Sequence, residues 1–226
     1  MRVSPGSSLA ERLEVIQDRI ARAAQSAGRR SDEIHMLAVT KVFPASAIVE
    51  AYQLGLRDFG ENYVQEFETK HAEVAGLAGA RFHLIGHLQS NKSRRASELF
   101  QVIQTIDSPK LARRLNEAGR DLDVMLEVKL SEEEAKSGAS PEELPALIEA
   151  VRTCPRLKLL GLMTMPPWSD DPEPSRPYFR KLRELAEQHR LSQLSMGMSH
   201  DLEVAIQEGA TTVRIGTALF GLRRKQ

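Results

Sequence analysis

The sequence holds one cysteine, Cys154, among 226 residues. That excludes an internal disulfide framework and any cysteine-based zinc site. A charge excess is missing too: 31 Lys and Arg face 31 Asp and Glu, for a formal net charge of zero. A general nucleic-acid binder would show a basic footprint instead. No apolar run approaches the ~18 residues that a membrane span requires. The opening stretch MRVSPGSSLAERLEVIQDRI turns amphipathic and acidic at once and forms no signal-peptide apolar region. The expectation is a cytoplasmic chain. Aromatic residues make up only 5% against 41% hydrophobic residues overall, an ordinary globular composition. At this length one core buries roughly 70–75% of the surface that the unfolded chain exposes, so no structural metal is needed.

What is present is an alternation. Ser8 with Glu11 three residues later reads as a capping box. Leu9, Leu13, Ile16, Ile20 and Ala23 follow at helical spacing, and Gly28 ends that helix. The apolar run from His35 to Thr40 reads as a buried strand ending at Lys41, and Pro44 and Ala45 open a helix reaching about Leu54. Further strands are predicted at Asp58–Gly60, Phe82–Ile85, Val102–Thr105, Asp123–Val128, Leu157–Leu162, Gln193–Ser195 and Thr212–Ile215. Helical patterns fall at Val64–Leu77, Pro109–Ala118, Pro141–Val151, Tyr178–His189 and Asp201–Glu208. Strands alternating with helices imply a parallel sheet. Eight units of about 28 residues fit a (β/α)8 barrel of the TIM type. The rival is an open doubly wound sheet, but no G-x-G-x-x-G follows the first strand. No linker divides the chain, and the irregular stretch from Pro166 to Pro177 reads as a loop, so residues 1–226 are expected to form one domain.

Barrel sites lie at the C-terminal ends of the strands. Lys41 stands there after strand one, Glu61 and Asn62 after strand two, and His83, Gly86 and His87 around the end of strand three. A lone lysine at such a rim is as a rule a snorkelling side chain. The alternative is a desolvated amine suited to a Schiff base. SMGMSHDLEVAIQEG places Gly197 and Ser199, and RIGTALFG places Gly216 and Thr217, in the two loops where barrels commonly bind phosphate. Asp201, in the first turn of the following helix, argues against an anion there. His83 and His87 do not share a face as in H-E-x-x-H, so no metal site is expected. Glu132, Glu133 and Glu134 read as a solvated charge run, and Cys154 as structural.

The segments AVTKVFP, FGENYVQE, HLIGHLQSNK, LGLMTMPP, LSMGMSHDLEVAIQEGA and VRIGTALFG, in this order, resemble those of the pyridoxal phosphate homeostasis protein family, related to the barrel domain of alanine racemase. The resemblance implies a (β/α)8 barrel of fold type III that binds pyridoxal 5′-phosphate (PLP). It places the family's Schiff-base lysine on Lys41 and the asparagine beside the ring on Asn62. The phosphate-binding serine falls on Ser199, and the glycine–threonine pair on Gly216 and Thr217. Arg214 is the arginine near the cofactor, facing the pyridine nitrogen as in the racemase, or else the phosphate. The chain departs from the family at Phe82, often Trp, at His200, often Asp or Asn, and in the proline-rich loop after Pro167.

An arginine cannot give up its proton at neutral pH, so beside the pyridine nitrogen it leaves the electron sink shallow. Racemisation also needs a second acid/base on the opposite face. The racemase family takes a tyrosine from a C-terminal β-domain, whereas ten residues follow Gly216 here. Of Tyr52, Tyr63 and Tyr178, only Tyr63 is expected near the mouth. The leading expectation is a barely catalytic PLP carrier in vitamin B6 and amino-acid homeostasis, monomeric, with PLP-dependent apo-enzymes as recipients. The rivals are an amino-acid racemase using Lys41 with Tyr63 or a water, and a phosphate-sugar barrel enzyme without PLP. Lys136, in AKSGAS, is the other lysine expected to capture PLP.

Overall fold

The computed structural model describes residues 7–131, 133 and 137–221. Eight parallel strands close a barrel in chain order, with the first strand paired to both the second and the eighth. They are β1 His35–Val39, β2 Asp58–Glu61, β3 Arg81–Leu84, β4 Val102–Ile106, β5 Leu122–Glu127, β6 Leu157–Met163, β7 Gln193–Met198 and β8 Thr212–Ile215. The helices are α1 Leu9–Ser26, α2 Ala45–Gln53, α3 Val64–Val74, α4 Ser93–Leu99, α5 Pro109–Glu117, α6 Leu144–Arg152, α7 Arg176–Gln188, α8 Leu202–Gln207 and α9 Thr217–Phe220. This is the barrel expected from the alternation, and the open sheet is excluded by the β1–β8 pairing.

Local chemistry explains the starts of the elements. Ser8 Oγ accepts from the Glu11 amide at 3.2 Å while the Glu11 carboxylate accepts from the Ser8 amide at 2.7 Å, so two otherwise orphaned donors are satisfied. Leu9, Leu13, Ile16 and Ile20 then bury one face of α1. Ser108 caps α5, whose first residue is Pro109, where no amide donor is needed. Two short helices, α4 and α9, go beyond the sequence pattern.

The large apolar core lies between the sheet and the helices, where Phe59, Phe67 and Phe82 pack ring on ring. Inside the barrel Leu37, Val39 and Ile85 form a small apolar cluster. Gly60 makes room for it, since a Cβ there would lie 3.1 Å from Leu37 and Ile85 side-chain carbons. Polar side chains also run through the interior. Gln104 on β4 bonds Ser195 on β7, a link between non-neighbouring strands that runs through the interior.

Candidate cofactor site

At the C-terminal end of the barrel lies a cavity of about 480 Å³ whose lining includes Lys41, Asn62, Ser199, Arg214, Gly216 and Thr217. The six residues singled out in the sequence, spread over 176 positions, thus meet at one cavity.

Lys41 is positioned by buried charge on either side of it. The Thr40 hydroxyl donates to Glu61 Oε1 at 2.8 Å, and Lys70 Nζ donates to the Thr40 carbonyl at 3.1 Å. The Val42 amide donates to Glu66 Oε1 at 2.6 Å, with Val42 at φ 63°. A β-branched residue in that left-handed region is strained, so the ion pairs hold the chain in a turn it would otherwise leave. Lys70 joins both carboxylates, at 3.1 Å to Glu61 and 2.5 Å to Glu66. Burial pushes the Glu61 carboxyl up while Lys70 and Thr40 draw it back. Glu61 is therefore a support beneath Lys41 and not a cavity residue.

Asn62 is fixed by Gly86, where a Cβ would sit 2.1 Å from the Asn62 carbonyl oxygen, so the two backbones approach as only glycine allows. Asn62 Oδ1 is buried with no hydrogen-bond partner. Such an atom costs free energy unless a ligand satisfies it.

Ser199 joins the loops after β7 and β8, its Oγ accepting from the Ala218 amide at 3.2 Å. From outside, Arg19 on α1 grips the Ser199 carbonyl at 3.0 Å while paired twice with Glu203. Gly197 is not part of the cradle. It lies within β7 at φ 87°, where a Cβ would come 2.4 Å from the Ala205 Cβ, and it sets the distance between β7 and α8. Asp201 stands one position before the first turn of α8. It occupies the cap position of α8 and its carboxylate accepts from the Met198 amide at 2.6 Å.

Arg214 is buried and donates to the Ser195 carbonyl at 2.7 Å, to Ser195 Oγ at 3.0 Å and to the Thr164 carbonyl at 2.8 Å. Burial lowers it to about 10, against the pull of Asp201 and Glu127, so it stays a cation at neutral pH. Glu127, buried with Oε2 unpartnered, is raised by burial and by Asp107 to about 7.

Other expectations are corrected or placed. Tyr63 is exposed and is not among the cavity-lining residues, and neither is any other described tyrosine. His200 does line the cavity, its ring 4.9 Å from that of Trp168, so this departure from the family falls on the cavity wall. Phe82 sits in the outer core. Cys154 is buried, its thiol donating to the Ala150 carbonyl. Among the described residues no group of three or more His, Cys, Asp or Glu could hold a metal. Lys136 and the flanking Glu132 and Glu134 lie outside the described residues.

With this geometry in place, likeness to known proteins is decisive. The family description "Alanine racemase, N-terminal domain" matches residues 12–224. A "Pyridoxal phosphate homeostasis protein" of Pseudomonas aeruginosa is 50% identical, with 96% of each chain covered. The chain belongs to the pyridoxal phosphate homeostasis protein family. A second member, from Escherichia coli, is 43% identical over 96% of this chain and 97% of its own. Among solved structures, PipY of Synechococcus elongatus with PLP bound is 38% identical with a TM-score of 0.82, covering 95% of this chain and all 100% of that one. Alanine racemase of Corynebacterium glutamicum, at 19% identity and a TM-score of 0.67, shares the fold and extends beyond it, with 61% of its chain covered.

Proposed function

We propose that the cavity holds pyridoxal 5′-phosphate and that the protein serves the homeostasis of this cofactor, with little or no catalysis of its own. The single observation that carries the reading is the convergence on one cavity of a strand-end lysine, a buried arginine and two hydroxyl-bearing loops. The donor set fits a phosphorylated aldehyde. Ser199, Thr217 and the Gly216 backbone stand where barrels take a phosphate. Asn62 has an unsatisfied buried oxygen to offer beside a ring. A volume of about 480 Å³ lies within the range of small-ligand sites.

When bound, PLP supplies an aldehyde that condenses with a lysine amine and a pyridine ring that draws electrons. In this reading Lys41 supplies the amine. Arg214 offers a fixed cation to the ring nitrogen or the phosphate; with three of its bonds given to Ser195 and Thr164, it cannot turn away. Facing the nitrogen, it holds no proton that it can transfer, which keeps the electron sink shallow. No tyrosine stands among the described lining residues, so the acid/base that the racemase family uses on the opposite face has no counterpart there, which favours a carrier over a racemase. We read the carrier as cytoplasmic and monomeric, handing PLP to apo-enzymes. No described helix is long and apolar enough to cross a membrane.

The test is to load the protein with PLP, incubate it with L-alanine in D₂O, and then add a PLP-dependent apo-enzyme. The expected result is no deuterium at the α-carbon and restored activity of the apo-enzyme. Steady deuterium incorporation with formation of D-alanine would establish the racemase reading instead, and His200→Asn would then show whether that imidazole supplies the second base.

A further inference from the structure

The polar interior of the barrel joins its two ends. Arg214 Nη1 donates to Ser195 Oγ at 3.0 Å, and the Ser195 hydroxyl donates to Gln104 Oε1 at 2.6 Å. Gln104 Nε2 lies 3.0 Å from His83 Nδ1, and His83 Nε2 lies 2.8 Å from Asp58 Oδ1. All but Asp58 are buried. The two ends fix the direction of every link, because a guanidinium only donates and a carboxylate only accepts. Ser195 has one proton to pass on, so Gln104 presents its oxygen to Ser195 and its amide to His83. That leaves His83 as the neutral Nε2–H tautomer.

Only one other arrangement satisfies His83, and it requires a second proton on the ring. Nδ1–H then needs an acceptor, Gln104 turns its oxygen towards His83, and its amide faces Ser195 Oγ. That oxygen then accepts from Arg214 and Gln104 together, so Arg214 shares its acceptor, and the serine proton loses the partner that had polarised the oxygen towards Arg214. The relay therefore has two states, and they differ at Arg214.

We infer that Gln104 and His83 are positioning residues for Arg214, and that protonation of His83 from the N-terminal mouth of the barrel loosens Arg214 at the cavity on the other side. The consequence for the cofactor rests on the PLP reading above; the relay itself does not. At that mouth His83 faces a cavity of about 240 Å³ lined also by His35 on β1, Asp58 on β2, Arg81 on β3, Asp123 on β5 and Lys158 on β6. Arg81 and Asp123 pair at 2.5 Å. Burial holds His83 below its ordinary value, with Arg81 acting the same way and Asp58 and Asp123 opposing. Asp58 remains low despite its burial because His83 donates to it. The neutral relay is thus the resting state at neutral pH, and acid reverses it.

The discriminating variant is Gln104→Glu, whose carboxylate accepts from Ser195 and from a doubly protonated His83 together, so the Ser195 proton keeps its acceptor at every pH. Gln104→Leu removes the link. Side-chain nitrogen NMR on the ligand-free full chain reads His83 and the Arg214 guanidinium during an acid titration, and PLP affinity is measured over the same range. In the wild type the Arg214 signals are expected to shift with the His83 titration, and PLP affinity to fall about three- to tenfold more than in Gln104→Glu, the worth of one hydrogen bond. Gln104→Leu should bind PLP about three- to tenfold more weakly at neutral pH. An Nδ1–H tautomer at neutral pH, or Arg214 signals indifferent to His83, would overturn the relay. Arg214 signals that follow His83 in a protein that never binds PLP would keep the relay and sink the cofactor reading.

Discussion

Ser199 and Thr217 sit on different loops and are tied through the Ala218 amide, so their hydroxyls act at one place although 18 positions separate them. A hydroxyl donating to a phosphate dianion contributes roughly 1.5–3 kcal/mol, about ten- to a hundredfold in affinity. Ser199→Ala and Thr217→Val should each weaken PLP by that factor and leave unphosphorylated pyridoxal nearly unaffected. Titrating both aldehydes against each variant checks this, and equal losses for the two would reject the cradle. Glu127 makes a different residue-scale case. Its folded value near 7 lies above the ordinary 4.5, so the folded state disfavours its charge. The sign follows: its stabilising contribution is complete below about 4.5 and is lost as pH rises through about 7. Glu127→Gln should therefore flatten that decline and add as much as about 3 kcal/mol of stability at pH 8, read as a higher melting temperature. Thermal melts of both proteins at pH 5 and pH 8 decide it; an equal effect at both pH values would contradict the buried-carboxyl account.

Among the elements, β7 and α8 are held at a distance that one glycine sets. Gly197→Ala meets both an unfavourable positive φ and a Cβ contact of 2.4 Å, so something must move. Strain of this kind costs about 2–3 kcal/mol, and the move would carry Ser199 with it. Reduced thermal stability together with weakened PLP binding is expected; a variant as stable as the parent would show that α8 yields freely. The elements also show what sequence can reveal. In strand β5, LDVMLE, the residues Leu122, Val124, Met125 and Leu126 are buried, and a short apolar run between turns announces such a strand. Helix α4 is different, for SRRASEL offers only Ala96 and Leu99 as apolar anchors. Its place is set by packing against α3 and α5, which no local pattern records.

At the scale of the whole barrel, the site was legible because a barrel's chemistry collects at the strand ends, so a lysine, an asparagine, a serine and a threonine after four strands already imply a common mouth. The polar column inside was not. His83, Gln104, Ser195 and Arg214 each read as an isolated polar side chain within a short strand, with nothing local to pair them, and their partners lie 19 to 91 positions apart. Closure of the barrel brings them together, and periodicity carries no register across it. The supports of Lys41 escaped notice for the same reason: Lys70 reads as an ordinary exposed helical lysine until β2 supplies Glu61.

The central claim is that this barrel holds PLP at Lys41, and one measurement reaches it directly. The protein is incubated with stoichiometric PLP, reduced with borohydride and digested, and the modified lysine is located by mass spectrometry in the wild type and in Lys41→Ala. The account expects one phosphopyridoxyl group on Lys41 and its loss in the folded variant, with at most minor labelling elsewhere. Stoichiometric label on another lysine of the wild type, or none, would contradict it.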